Sequence, residues 1–221
     1  MDDTAYIIIH GFAGDLSEIE YLKCFLTKNG LIVYTILLKG HGTTKKDMNR
    51  YNYKQWVEHA TYEVGEIKKY HKYICLVGFS MGGLICVNIM QTVQVMKLIL
   101  INTPIYFWNL KLILKNIVSD LKNNKRDNID FYVYSSSKAP LKSLINFLIL
   151  LNKTKKIFCE VKVNTLILQC LDDDTVKEKS AKYIKDHLGA NSTIKYYIQG
   201  GHQVLLSKTR DLVCEDVLKF V

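Results

Sequence analysis

The sequence predicts an α/β fold, a doubly wound, mostly parallel sheet of about six strands with helices on both faces and a small helical cap insertion. Three observations predict it. Short β-branched and aromatic runs alternate with longer segments of helical period. The runs are apolar throughout, as strands covered by helices on both faces must be. The alternation breaks only between residues 105 and 160, where helical patterns follow one another with no convincing strand.

"AYIII" at 5–9 reads as the first strand, and 16–29 as a helix stopped by Asn29-Gly30. "LIVYTIL" at 31–37 is the second strand, followed by the loop "LKGHGTT". A helix over about 53–71 places Trp56, Val57, Ala60, Val64 and Ile67 on one stripe. "YICLV" at 73–77 is a strand, a helix runs from the Ser80 stretch to about Gln91, and "KLILIN" at 97–102 is the next strand. After Pro104 come the helical patterns and polar loop "KNNKRDNID" of the expected cap, 105–160. "VNTLILQ" at 163–169, a helix at 176–188, "TIKYYI" at 193–198 and a helix at 207–221 restore the rhythm. Residues 1–104 and 161–221 then make one α/β core.

A chain of 221 residues is large enough to bury such a core. The formal charge of +9 raises a nucleic-acid partner, but the lysines are scattered rather than gathered on one motif, so none is expected. "MDDTAYIIIH" carries acids where a signal peptide needs lysines, and no apolar stretch reaches the ~20 residues of a membrane span. No stable membrane insertion is expected, and the cytoplasm is the expected compartment. The six cysteines show neither C-x-x-C spacing nor a zinc-like pairing with histidine, so reduced thiols and no metal site are expected.

In a doubly wound sheet, ligands bind at the carboxyl ends of the strands. There "GFSMGG" sets Ser80 between Gly78 and Gly82, after a strand and before a helix. That is the pattern of a nucleophile elbow, which holds a serine in a strained turn and lifts its Oγ out of the sheet. The N–H of the next residue, Met81, is aimed at the same space. A serine needs a base, and the base an orienting carboxylate, each after a later strand. "LILQCLDDDTV" offers Asp172, Asp173 and Asp174, and "YYIQGGHQVLL" offers His202.

In these pieces the chain resembles an α/β-hydrolase, and more narrowly the small bacterial carboxylesterases and monoacylglycerol-lipase-like enzymes. The matching residues are "HGFAG" (10–14), "LKGHG" (38–42), Trp56, "GFSMGG" (78–83), "QCLDDDTV" (169–176) and "GGH" (200–202). The sequence starts almost at the first parallel strand, so the family's leading antiparallel strands are expected to be missing or reduced to five residues. The resemblance implies that Asp173 is the acid, because the family's pattern of an aspartate, two further residues and then valine or isoleucine fits Asp173 with Val176. Asp172 and Asp174 are expected to face solvent or to cap the following helix. It also makes the Phe12 N–H the second oxyanion donor beside Met81, with His10 and His41 bracing loops. His59, His71 and His187 are expected to be ordinary surface histidines in helical segments.

The implied activity is hydrolysis of a carboxylic ester through an acyl-enzyme, with Ser80, His202 and Asp173 as catalytic residues and no cofactor. Its partner is a small-molecule ester. An acyl-thioesterase with the same triad and a catalytically silent ligand-binding protein of the same fold are the alternatives. The apolar residues of the cap either pack it onto the core or offer an acyl pocket, expected along Trp108, Leu112 and Leu148, which leans the substrate toward medium-chain esters or monoacylglycerols.

Overall fold

The computed structural model describes residues 3–107 and 139–221. Six strands form one sheet: β1 (Thr4–Ile9), β2 (Ile32–Ile36), β3 (Tyr73–Phe79), β4 (Lys97–Ile101), β5 (Asn164–Cys170) and β6 (Ser192–Tyr197). Their order is β2-β1-β3-β4-β5-β6, and every pairing is parallel. All six fall where the apolar runs predict them.

The helices are α1 (Glu20–Lys28), α2 (Lys45–Met48), α3 (Tyr53–Lys68), α4 (Met81–Ile89), α5 (Leu141–Ile157), α6 (Lys179–Leu188) and α7 (Arg210–Phe220). Side chains alternate along each central strand, so the two faces feed two cores. Ala5, Ile7, Ile9, Ile74 and Leu76 face Trp56 of α3, Leu84 of α4, Phe147 of α5 and Ile184 of α6. Tyr6, Ile8, Cys75 and Val77 face Leu22 and Leu26 of α1 and Val213 and Val217 of α7. The stripe read on α3 supplies the fully buried Trp56, Ala60 and Val64, and an Asn52–Gln55 capping box opens that helix.

Three expectations are corrected by the local chemistry. The first helix begins at Glu20, because Asp15 accepts from the Ser17 N–H and starts a separate 3-10 turn over Leu16–Glu18. His71 lies beyond the end of α3, where Asp3 and Tyr34 bond its ring. Within the expected cap, residues 108–138, with Trp108 and Leu112, lie outside the described residues. Leu148 stands 44% exposed on the outer face of α5, with Leu141, Ile145 and Ile149. The inward residues of that helix are Phe147 and Leu150, which join the core shared with α3 and α4.

β3 lies between β1 and β4, while the chain first steps from β1 to β2 on the other side. The strand order therefore reverses between β1 and β3, and sheets of this kind bind their ligands at the carboxyl ends of such a reversal. The loop 10–14 leaves β1 there, beside Ser80 at the end of β3.

Candidate active site

Ser80 links β3 to α4 with φ 51° and ψ −121°, a conformation that costs a non-glycine residue on the order of 1–3 kcal/mol. Two backbone bonds hold it. The Ser80 N–H donates to the Ile101 carbonyl at 2.8 Å, and the Gly83 N–H donates to the Ser80 carbonyl at 3.0 Å. The glycines around it have a packing cause. A Cβ on Gly82 would collide with the Ile9 carbonyl, and one on Gly78 with the Gly83 backbone. Strand and helix pass too closely for any side chain. Gly82→Ala is therefore expected to destabilise the fold by about 3–5 kcal/mol. Gly65→Ala in α3, where an added Cβ meets nothing within 4 Å, should stabilise it by about 1 kcal/mol. Urea unfolding of both variants measures the contrast; equal midpoints would dismiss the close-packing account.

His202 follows β6, and its Nε2 stands 3.0 Å from Ser80 Oγ. Its Nδ1 stands 2.9 Å from Asp173 Oδ2. An ionised carboxylate only accepts, so Nδ1 carries the proton and Nε2 is left to accept from the serine hydroxyl. The other oxygen, Asp173 Oδ1, accepts from the N–H groups of Thr175 and Val176 at 2.9 and 2.8 Å. Burial pulls the His202 pKa down, but the charge and hydrogen bond of Asp173, then the charges of Glu18 and Asp174, outweigh it. The net shift is upward from 6.5.

The neighbours of Asp173 are not spare. Asp172 accepts from the N–H groups of Gly200 and Gly201 at 3.1 and 2.8 Å, pinning the turn before His202. Asp174 is buried and accepts from the Thr175 hydroxyl. Neither caps α6, which starts at Lys179 with no side-chain cap. The expectation that Asp174 faces solvent fails because residues 173–176 fold inward after the exposed Leu171 and Asp172.

Met81 is the first residue of α4, so its N–H has no partner within the helix. The Phe12 N–H makes no hydrogen bond among the described residues. His10 braces the loop that carries Phe12: the Leu38 N–H donates to Nε2 at 3.1 Å, and Nδ1–H donates to the Gly11 carbonyl at 2.8 Å. Burial drives the His10 pKa down to about 4 and that of His41 down to about 3, so both rings are neutral near pH 7. The Phe12 ring stacks on Phe147 at 5.1 Å, and Phe107 meets Phe147 edge-on at 5.0 Å. Phe107 and Phe147, on either side of residues 108–138, thus each bring an aromatic ring toward the loop.

Asn102 is a residue that sequence reasoning missed. It ends β4 with φ 45°, fully buried. Its side-chain amide donates to the carbonyls of Gly201 and His202, and its Oδ1 accepts from the Cys170 N–H. One side chain thereby spaces the strand leading to Asp173 from the loop holding His202. Its only sequence signal was a polar residue closing the apolar run "KLILIN". The buried cysteines carry no comparable chemistry. Burial pushes the thiols of Cys75, Cys170 and Cys214 up to about 12, far from the thiolate a nucleophile needs.

A family model described as the alpha/beta hydrolase fold matches residues 5–133. The chain belongs to that family. A carboxylesterase of Bacillus subtilis (strain 168) is 22% identical over 228 residues, covering 99% of this chain and 92% of that protein. A thermostable monoacylglycerol lipase of Bacillus sp. (strain H-257) is 26% identical, covering 97% and 88%. Among solved structures, one from work on the metagenome-derived lipolytic enzymes LipS and LipT superposes with a TM-score of 0.80 at 18% identity, covering 99% of this chain and 93% of that one.

Proposed function

We propose that the chain is a serine hydrolase that cleaves carboxylic esters through an acyl-enzyme. The observation that carries the reading is the continuous hydrogen-bonded series from Ser80 through His202 to Asp173, assembled from the ends of three different strands. The names of the carboxylesterase and lipase relatives support an ester as the substrate.

In this reading Ser80 Oγ attacks the acyl carbonyl as His202 Nε2 takes the hydroxyl proton. Asp173 holds the imidazole tautomer and stabilises the imidazolium. The Phe12 and Met81 N–H groups receive the negative charge that develops on the carbonyl oxygen. The C–O bond to the alcohol breaks as His202 returns the proton to the leaving oxygen. Water, deprotonated by the same ring, then releases the acid and regenerates Ser80. No step requires a metal or organic cofactor. The compartment proposed is the cytoplasm; among the described residues no helix is long and apolar enough to cross a membrane.

The 105–160 insertion is proposed as a cap roofing an acyl pocket, with Phe12, Phe107 and Phe147 as the apolar wall next to the oxyanion donors. Each methylene buried there contributes about 0.8 kcal/mol, or roughly fourfold in binding. Hydrolysis of p-nitrophenyl esters is therefore expected to rise in kcat/KM from acetate to a medium chain and then fall. A fluorophosphonate probe should label the wild-type protein at Ser80, and esters should turn over faster than the matching acyl-CoA thioesters. An unlabelled protein would point to a silent binder. Faster thioester turnover would point to a thioesterase, and a preference for acetate would remove the acyl pocket.

A further inference from the structure

Glu18 sits in the 3-10 turn before α1, on a segment whose sequence reads as an exposed helix start. Its carboxylate nonetheless turns inward. The Gly11 N–H donates to Oε2 at 3.0 Å, and the side-chain amide of Gln203 donates to Oε1 at 2.9 Å. Gly11 precedes Phe12, and Gln203 follows His202. A Cβ on Gly11 would lie 3.2 Å from Glu18 Oε2 and 3.3 Å from Ser80 Cβ, so one residue separates the carboxylate from the serine. A Cβ on Gly14 would overlap the Glu18 carboxyl itself, so the last glycine of "HGFAG" leaves the space this group occupies.

We propose that Glu18 is a positioning residue of the hydrolysis proposed above, and the inference rests on that reading. One carboxylate ties the loop bearing Phe12 to the segment bearing His202, and its negative charge faces the imidazole as it becomes an imidazolium. Both oxygens accept from N–H donors, an arrangement that suits the ionised form. The groups that act on Glu18 pull both ways, and the net shift of its pKa is upward from 4.5. Burial raises its pKa, the Gln203 and Gly11 bonds and the His202 charge oppose that rise, and Asp15 adds to it. In return Glu18 is among the charges that hold the His202 pKa up, after Asp173 and ahead of Asp174.

Two substitutions separate position from charge. In Glu18→Gln, Gln203 can turn its amide so that Oε1, buried and without a partner among the described residues, accepts from the new amide. The hydrogen bonds survive and the charge is lost. The plateau kcat on p-nitrophenyl acetate should stay within about threefold of wild type, while the acid limb of kcat/KM moves to lower pH by about half a unit or more. Glu18→Ala loses the tether as well. Its plateau kcat should fall on the order of 10- to 100-fold with KM nearly unchanged, because the loss is in the transition state. A merely structural role would not move the acid limb. Superposed limbs for wild type and Glu18→Gln would overturn the proposal, as would a Glu18→Ala plateau within about twofold of wild type. If Glu18→Ala does not fold, the Glu18→Gln profile decides alone. Fluorophosphonate labelling of the wild type is read in parallel, since failure there defeats the hydrolase reading itself rather than the role of Glu18 within it.

Discussion

Ser80→Ala is expected to fold normally and to lose ester hydrolysis by on the order of 10⁴–10⁶-fold in kcat, the range over which removing one member of a coupled triad acts. The fold should persist because what the structure uses of Ser80 is its backbone. The N–H bond to Ile101 and the carbonyl bond from Gly83 remain in the alanine variant. The side chain bonds His202, and alanine adds no volume to a site that already holds a Cβ. The strained φ of 51° is shared by both residues, so its cost cancels in the comparison. The loss should fall on kcat rather than KM, since the hydroxyl acts by forming a bond and not by holding the substrate. Single-turnover rates on p-nitrophenyl esters, with a thermal melt alongside, measure both halves. A folded variant that kept more than about a tenth of wild-type kcat would remove Ser80 as the nucleophile.

How far the sequence could be read follows from what each residue is buried against. Strands covered on both faces carry near-continuous apolar runs, so "ICLV" within β3 and "LIL" within β5 declare themselves without any knowledge of their partners. Gly78 and Gly82 are legible too, because the turn they allow is local and lies within one short motif. Asn102 and Glu18 are not. Each is a single polar residue whose meaning comes from segments about 100 and 185 residues away, at His202 and at Gln203. A carboxylate at the start of an amphipathic helix looks solvated until Gly11 and Gly14 are folded over it. The expectation of a cap over 105–160 comes from a break in rhythm, and within that span α5 behaves differently from a separate roof. α5 packs Phe147 and Leu150 into the core shared with α3 and α4, because its inward face is apolar at the spacing one helix offers another.

Loss of stability on mild acidification is the second large effect expected, and His10 and His41 are its source. Their rings lie 5.2 Å apart, buried, with Phe12 and Trp56 packed against His41. Burial lowers the His10 pKa from 6.5 to about 4, against the Gly11 hydrogen bond and the Asp15 charge that raise it. Burial and then the charge of His10 lower His41 from 6.5 to about 3, against its hydrogen bond to the Lys39 carbonyl. Below pH 6.5 the unfolded chain therefore binds protons that the folded chain refuses. Folding free energy falls by about 1.4 kcal/mol per pH unit for each such histidine until the folded pKa is reached. Two groups act in the opposite sense. The raised pKa of His202 and that of Glu18 favour proton uptake in the folded state, so they moderate the slope. With both buried histidines counted, stability measured in urea should drop between pH 6 and pH 4.5 by on the order of 2–4 kcal/mol. His41→Phe should flatten the slope by up to one proton, about 1.4 kcal/mol per pH unit. Phenylalanine keeps an aromatic ring against Phe12 and Trp56; it gives up the 3.3 Å bond of His41 Nδ1 to the Lys39 carbonyl, while Nε2 has no hydrogen-bond partner to lose among the described residues. A stability that stays level from pH 6.5 to pH 4.5, or a His41→Phe slope equal to that of wild type, would mean that the two rings are not held neutral by their burial.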